Sequence, residues 1–269
     1  PHSGFVLQRH RTGITSFSWR NSIMALPVNK DGIQTIGPAT DSFLGRIVVR
    51  NRPDSHDLEA INIDERKESF AAALITKRAQ GSVRQEVLFA GLPSGISLSM
   101  ERFTALESIT VERVDQGCLR VINENFGALK GNCHGYRDFH TPEATERFEG
   151  YASTDPDSDI IHSYEHPEWV NVDGRVGFVF NGSGKTIYHN RHYFRPWWAV
   201  ADDLTLSRID KPFRAIAGQE ISRLTALIAP DRSRQKTADL PFTVLTGKRS
   251  SVGLIADGYL VAGNFESNA

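Results

Sequence analysis

The chain has 269 residues, a length that fits one large all-β domain or two ordinary domains. Its 31 basic and 32 acidic residues give a net charge of -1, so no global field favours nucleic acid or an anionic membrane. No stretch has the roughly 18 consecutive apolar residues that a membrane-spanning helix needs. We therefore expect a soluble protein that binds neither nucleic acid nor membrane.

The N-terminal stretch "LQRHRTGITSFSWRNS" predicts a β-hairpin. Arg9, His10 and Arg11 end its first strand, Thr12-Gly13 forms the turn, and residues 14–19 return. Three cations on a hairpin suit an anionic ligand. They equally suit a solvated strand edge that discourages pairing with another chain.

Alternation of apolar and polar residues predicts half-buried strands in the middle and at the end of the chain. In "GISLSMERF", Ile96, Leu98 and Met100 share one face. Ile109 and Val111 share a face in the next strand, and "SVGLIA" near the C-terminus has the same pattern. The stretches "FAAALITKRA" and "AIAGQEISRLTALIA" contain good helix formers, but we interpret both mainly as strands.

Pairs of Asp or Asn with Gly predict tight turns at Asp31-Gly32, Asp173-Gly174, Asn181-Gly182 and Asp257-Gly258. These pairs supply the positive φ angles of two-residue hairpins. We therefore predict that Val170 to Ile187 contains a meander of three consecutive strands, "WVNV", "RVGFVF" and "KTIYHN".

The stretch from Asn125 to Glu168 is rich in Gly, Asp, Pro, His and Thr and has little periodicity. It predicts a long irregular loop, a feature that in compact domains carries function or is disordered. Residues 1–269 are thus predicted to form a single large antiparallel β-sandwich with a loop excursion at 125–168. The chain lacks an initiator Met and ends abruptly, so we expect a processed chain or a fragment of a longer one.

The segment "GNCHGYRDFH" brings His134, Tyr136, Arg137, Asp138 and His140 together. This set contains a candidate base, a phenolic acid and a guanidinium that can neutralise a carboxylate. The alternative is a loop that polar side chains merely hold in place.

Metal binding is a second interpretation of the histidines. His134, Asp138 and His140 could surround a structural zinc or calcium ion, and so could residues 162, 165 and 166. None of these groups has a dedicated metal-binding spacing, and we predict no cofactor.

The stretch "YHNRHYFRPWW" mixes aromatic and basic residues. In a strand, alternation sends Tyr188 and Asn190 to one face and His189, Arg191 and Tyr193 to the other. The second face suits an acidic sugar, because rings stack on pyranose faces and Arg holds a carboxylate with two hydrogen bonds. The tryptophans that follow are either core residues or sugar platforms.

Several functional classes lack their motifs. The chain has no phosphate-binding loop, no dinucleotide fingerprint and no GxSxG elbow; "NGSGK" at 181–185 sits in a predicted hairpin turn. Asn181-Gly182-Ser183 is formally a glycosylation acceptor in a eukaryotic secretory setting. Cys118 and Cys133 could form one disulfide or remain two buried thiols.

The hairpin "QRHRTGITSFSWRNS" together with the closing "DGYLVAGNF" resembles the β-super-sandwich domain of polysaccharide lyases that combine an α/α-toroid with a β-sandwich. This group includes hyaluronate, chondroitin, alginate and heparinase-type lyases. In many of them an early strand carries a His-Arg pair before an aromatic-x-aromatic strand, which here are His10-Arg11 and Phe17-Ser18-Trp19.

The resemblance implies a mutarotase-like sandwich that acts on an acidic, uronic acid-containing polysaccharide outside the cytoplasm, as a secreted or periplasmic protein. The reaction would be β-elimination, in which the uronate is neutralised, a base removes the adjacent proton and an acid protonates the leaving oxygen. The toroid supplies much of the cleft in those lyases, but this sequence shows no run of amphipathic helices. Either the toroid is a partner from the same parent chain, or the sandwich is adapted to another task. The candidate catalytic residues are His10, Arg11, His134, Tyr136, Arg137 and His189, and the candidate substrate-binding residues are Arg191, Tyr193, His140, Trp19 and Trp198.

Two other functions compete with the lyase. One is a non-catalytic carbohydrate-binding or structural module with a platform among Trp19, Tyr193, Trp197 and Trp198. The other is a glycoside hydrolase domain. Carboxylates such as Asp202, Asp203 and Glu165 are plentiful, but the sequence does not place a pair at the separation that hydrolysis requires.

Overall fold

The computed structural model describes the backbone of residues 5–10, 13–18 and 36–38, and residues 44–122, 136–149, 159–190, 201–230, 232–247 and 251–265. Within these residues the chain forms strands joined by short turns, with one short helix. The elements in chain order are β1 (Phe5–His10), β2 (Gly13–Ser18), β3 (Ile36–Pro38), β4 (Arg46–Val49), β5 (His56–Glu65), β6 (Phe70–Arg78), β7 (Val83–Gly91), β8 (Ser97–Ala105), β9 (Ile109–Ile122), β10 (Tyr136–His140), β11 (Thr145–Glu149), β12 (Ile160–Tyr164), β13 (Trp169–Val172), β14 (Val176–Gly182), β15 (Lys185–Asn190), β16 (Ala201–Ile209), β17 (Phe213–Ala215), β18 (Glu220–Pro230), α1 (Arg234–Ala238), β19 (Thr243–Thr246), β20 (Ser251–Ala256) and β21 (Tyr259–Asn264).

Two large antiparallel sheets form the sandwich. The nine-stranded sheet has the order β11-β10-β13-β14-β18-β8-β7-β6-β5. The seven-stranded sheet has the order β12-β15-β16-β9-β17, with β3 and β4 also paired to β9. A three-stranded sheet (β19-β20-β21) and the separate hairpin β1-β2 complete the described strands. The predicted all-β sandwich and the predicted N-terminal hairpin are confirmed.

The main core lies between the two large sheets. Phe89 and Phe178 project from the nine-stranded sheet, and Leu119, Leu204 and Leu206 project from the seven-stranded sheet; all five are buried. Because side chains alternate along each strand, one face of each sheet supplies this core.

The three-stranded sheet covers the opposite face of the nine-stranded sheet. Leu88, Leu98 and Met100 pack there with Leu254 and Val261. The middle layer is therefore buried on both faces. This makes the half-buried prediction wrong for β8, whose polar residues are also inside, including Ser97, Ser99 and Glu101. The alternation itself was predicted correctly, as it was for Ile109 and Val111.

Two of the predicted turns form as expected. Asp173-Gly174 joins β13 to β14 and Asp257-Gly258 joins β20 to β21, with positive φ at all four residues. The prediction for Asn181-Gly182 is wrong, because β14 pairs with β18 while β15 pairs with β12 and β16 in the other large sheet. The chain crosses between the sheets here, so only the first two strands of the meander pair with each other. Asp31-Gly32 lies outside the described residues.

The segment 125–168 is not the irregular loop that its composition predicts, at least where it is described. It contains β10, β11 and β12. β11 and β12 are short edge strands, and β10 lies next to β11. Each of the three has exposed residues, so they lack a clear apolar alternation. The two stretches with helix formers are strands β6 and β18, as predicted.

Among the described residues, no helix has the length and apolar character needed to cross a membrane.

Candidate functional site

Several strand ends meet at one end of the sandwich. β15 ends at Asn190, which pairs with Ile160, and β16 begins at Ala201, which pairs with Ile122 at the end of β9. β10 reaches the same region, because Arg137 Nη1 near its start lies 3.2 Å from Asp202 Oδ2 of β16, and the Tyr188 ring stacks on the Phe139 ring with centroids 4.4 Å apart. The sequence segments with His134 and with Arg191 to Trp198 both connect to strands at this end. The structure thus brings β10 next to "YHN", the start of the stretch predicted to bind ligand.

A polar row crosses the outer face of the seven-stranded sheet at this end, and we call it the outer row. His189, Asp203 and Arg120 are direct neighbours across β15, β16 and β9. Arg120 Nε lies 3.0 Å from Asp203 Oδ1, and His189 Nε2 lies 3.5 Å from Asp159 Oδ2. All four side chains are partly exposed. The row presents imidazole, guanidinium and carboxylate groups on one surface.

The outer row was only partly predicted. Alternation correctly sends Tyr188 and Asn190 inward and His189 outward. Asp203 was noted only as one of many carboxylates. Arg120 and Asp159 were missed, since their proximity depends on pairing between strands that are distant in sequence. For Arg120 and Asp203, the apolar alternation in "CLRVI" and "ADDLTL" indicates only which face of the strand each residue occupies.

Arg137 lies inside the sandwich with no exposed side-chain surface. Its Nε lies 2.7 Å from Asp173 Oδ2, and its Nη1 lies 3.2 Å from Asp202 Oδ2. Tyr188 also donates its hydroxyl to the buried carboxylate of Asp202. Arg137 therefore stabilises the buried part of this end of the sandwich. Its guanidinium does not reach the solvent-exposed surface where a polysaccharide could bind.

An aromatic cluster lies between β11, an edge strand of the nine-stranded sheet, and β12, an edge strand of the seven-stranded sheet. The rings of Phe148 and His162 stack with centroids 4.0 Å apart, and Tyr164 lies 4.9 Å from Phe139. The Tyr164 hydroxyl donates to Glu146, and burial together with this carboxylate raises the pKa of Tyr164. His162 therefore has a packing role.

Tyr136 is exposed at the start of β10. The Arg147 guanidinium lies 3.9 Å above its ring, and Arg147 donates two hydrogen bonds to Asp138, at 2.7 and 2.9 Å. These hydrogen bonds lower the pKa of Asp138. The exposed ring and cation form a small surface that can contact a ligand.

His140 lies at the other end of β10. Its Nδ1 is 2.9 Å from Thr145 Oγ1, and burial lowers its pKa. Tyr136 and His140 are register positions at opposite ends of the same five-residue strand. The part of this segment that is described, from Tyr136 on, is thus a short strand between β11 and β13, and its polar residues are spread along its length.

The remaining predicted site residues lie outside the described side chains, so their roles stay predictions. The backbone of His10 is in β1, opposite Gly13. The others are Arg11, Trp19, His134, Arg191, Tyr193 and Trp198.

No group of three His, Cys, Asp or Glu suited to a metal ion occurs among the described residues. Asp138 is bonded to Arg147, and His162 is stacked on Phe148, so two of the residues proposed as ligands have other roles. His134 is outside the described part of the chain. The thiol of Cys118 is free, and desolvation raises its pKa to about 12. Cys133 is not described.

The fold is shared with domains of much larger proteins. The galactosidase domain of an α-galactosidase–sucrose kinase has a TM-score of 0.52 and 10% identity, and the match covers 86% of this chain and 41% of that one. An α-galactosidase from Lactobacillus brevis has a TM-score of 0.51 and 8% identity, with coverage of 85% and 39%. No protein-family model and no curated protein sequence matches the chain.

These likenesses confirm the large β-sandwich. They also show that the chain spans about 40% of the length of the structures that it resembles. The two structures are described as a galactosidase domain and an α-galactosidase, so they do not support the lyase identity that the sequence resemblance implied.

Proposed function

We propose that the chain is a carbohydrate-binding β-sandwich module that works together with a separate catalytic domain of the glycoside hydrolase type. The observation that carries this proposal is how much of each chain the structural match covers. Most of this chain matches less than half of a structure described as a galactosidase domain. The glycoside hydrolase alternative therefore replaces the lyase as the preferred interpretation.

The outer row supports saccharide binding. Sugars are recognised by planar groups that donate or accept several hydrogen bonds, and Arg120, Asp203 and His189 supply such groups within one row. The described row contains two carboxylates and one guanidinium, which already pairs with Asp203. This charge balance favours neutral hydroxyl groups over a uronate.

In the lyase hypothesis, an arginine or a histidine neutralises the uronate of the substrate. Arg137, one of the arginines predicted to contact a carboxylate of the substrate, is bonded inside the sandwich. An acidic polysaccharide, a toroid partner and a secreted or periplasmic location remain predictions of the sequence resemblance alone.

Affinity electrophoresis of the full chain tests the proposal. We expect a neutral galactose-bearing polysaccharide such as galactomannan in the gel to slow migration, without depolymerisation of the polymer. Alginate at equal concentration is expected to have a smaller effect. A His189→Ala variant should migrate faster than the wild type in galactomannan and identically in a gel without polysaccharide.

Two results would contradict the proposal. Formation of ultraviolet-absorbing unsaturated ends from alginate or hyaluronate would establish the lyase instead. Migration unaffected by every polysaccharide would remove carbohydrate binding altogether.

A further inference from the structure

A pocket of about 590 Å³ lies beside the three-stranded sheet, on the opposite side of the sandwich from the outer row. We call it the side pocket. Val179 and Phe242 form part of its apolar surface, while Asn181, Thr225 and Glu168 supply polar groups. All of these residues are described, and none belongs to the outer row.

Strand alternation explains how the chain builds this pocket. Val179 and Asn181 are two residues apart in β14, so they share the outer face of the nine-stranded sheet. Asn181 is directly opposite Thr225 of β18. Val179 on this face packs in the same cluster as Phe242. The Asn181–Thr225 pair lies further along β14, close to the point where the chain crosses to the other sheet. The pocket wall is therefore apolar beside Phe242 and carries hydrogen-bonding groups at Asn181 and Thr225.

The backbone of "NGSGK" fixes one side of the pocket. A Cβ on Gly182 would lie 2.7 Å from Ser207 Cβ, and one on Gly184 would lie 2.2 Å from the Arg208 carbonyl oxygen. Only glycine permits such close approach to the seven-stranded sheet. The Gly184 amide also donates a 2.9 Å hydrogen bond to Ser207 Oγ. This pocket wall is thus held by tight packing.

The opposite side is formed by the turn before β13. The Phe180 amide donates a 3.0 Å hydrogen bond to the Glu168 carbonyl, which ties this turn to β14. His166 has a positive φ of 44°, a conformation that is uncommon for a residue with a side chain. The exposed His166 and Glu168 side chains therefore border the pocket from a fixed turn.

We propose that the side pocket is a second saccharide-binding site, which takes a neutral mono- or disaccharide unit. Its volume is in the range of small-ligand sites, and it combines apolar walls with a few polar groups. An amide and a hydroxyl can both donate to and accept from sugar hydroxyls, and the Phe242 ring can contact the apolar face of a pyranose. Glu168 is the only permanently charged residue among those that line the pocket, so an anionic sugar is disfavoured. The choice of a sugar as ligand rests on the proposed function.

Amide NMR titration of the full chain with raffinose provides a local test. The amides of Gly182 and Gly184 report on the side pocket, and the amide of His189 reports on the outer row. We expect Gly182 and Gly184 to shift with raffinose and to shift much less with an equal concentration of glucuronate. Asn181→Ala should weaken the affinity measured at these glycines by roughly five- to tenfold, the effect of losing one hydrogen bond.

Asn62→Ala is the matched control, because Asn62 is an exposed strand asparagine on β5, at the far edge of the same sheet. It should leave the affinity unchanged. Thr225→Val, which replaces the hydroxyl with a methyl group of similar size, should also weaken raffinose binding. Equal unfolding midpoints for Asn181→Ala and Asn62→Ala would establish that the loss is local.

The outcomes separate this inference from the proposed function. Raffinose shifts at His189 with none at Gly182 or Gly184 would overturn the side pocket and leave the proposed function standing. Shifts at neither place would overturn both. Glucuronate binding at Gly182 and Gly184 more tightly than raffinose would overturn the neutral ligand class.

Discussion

The backbone amide of Gly45 donates a 2.7 Å hydrogen bond to Oε1 of Glu101, a carboxyl group that is 3% exposed inside the sandwich. Gln85 also donates to Oε1 through its side-chain amide. Burial raises the pKa of Glu101 to about 7, although both hydrogen bonds and the nearby Arg78 act in the opposite direction. The relationship joins Gly45, which directly precedes β4, to β8, an interior strand of the nine-stranded sheet.

The pKa of Glu101 makes stability depend on pH. The folded protein holds a proton on Glu101 up to about pH 7, whereas the unfolded chain loses it near the ordinary value of 4.5. The contribution of this group to stability is therefore full below pH 4.5 and is lost as the pH rises through 7. The Glu101→Gln variant is uncharged throughout, so we expect its free energy of unfolding relative to the wild type to increase by about 3 kcal/mol between pH 4.5 and pH 8.

Urea unfolding of both proteins at several pH values measures this difference. Glu65→Gln, at an exposed position in β5, is the control and should show no such trend. A constant difference between wild type and Glu101→Gln across this range would contradict the prediction.

Gly45 is expected to tolerate no side chain. A Cβ at this position would lie 2.6 Å from Glu101 Oε2 and 2.7 Å from the Asp115 carbonyl oxygen. Gly45→Ala should therefore lower the free energy of unfolding by roughly 1–3 kcal/mol, the usual cost of overpacking. Gly253→Ala is the control, because its Cβ would meet the end of the exposed Leu260 side chain at 3.2 Å, and that side chain can move. Equal losses in the two variants would argue against this account.

Arg137 is predicted to be a structural residue. Arg137→Met removes one partner of a fully buried pair and leaves the carboxylate of Asp202 without it, which typically costs about 3–5 kcal/mol of stability. Adding Asp202→Asn removes the stranded charge, so the double variant should lose less than the sum of the two single variants. Denaturant unfolding of the three variants gives this coupling energy. A loss below roughly 1 kcal/mol for Arg137→Met would show that the pair does not hold this end of the sandwich.

Local sequence patterns predicted the strands well because alternation is a property of neighbouring residues. They failed where burial and side-chain contacts depend on how the sheets stack and on which strands pair. Glu101 alternates like an exposed residue, yet the seven-stranded sheet covers its face. Asn181-Gly182 has the composition of a hairpin turn, but Gly182 and Gly184 serve a close crossing between sheets. Arg137 looked like a ligand for carboxylates, and its carboxylate partners are Asp173 and Asp202 of the same chain.

Tyr188 and His189 are adjacent in sequence but occupy opposite faces of β15, and paired variants separate structure from function at this strand. Tyr188→Phe removes a buried hydroxyl that donates to Asp202, so the free energy of unfolding should fall by about 1–3 kcal/mol. His189→Ala changes a partly exposed side chain 3.5 Å from Asp159 and should cost less than about 1 kcal/mol. We expect the reverse order for saccharide binding in galactomannan gels, where His189→Ala weakens retardation and folded Tyr188→Phe behaves like the wild type. If His189→Ala retains full retardation while Tyr188→Phe loses it under conditions where both are folded, the outer row is not the binding surface.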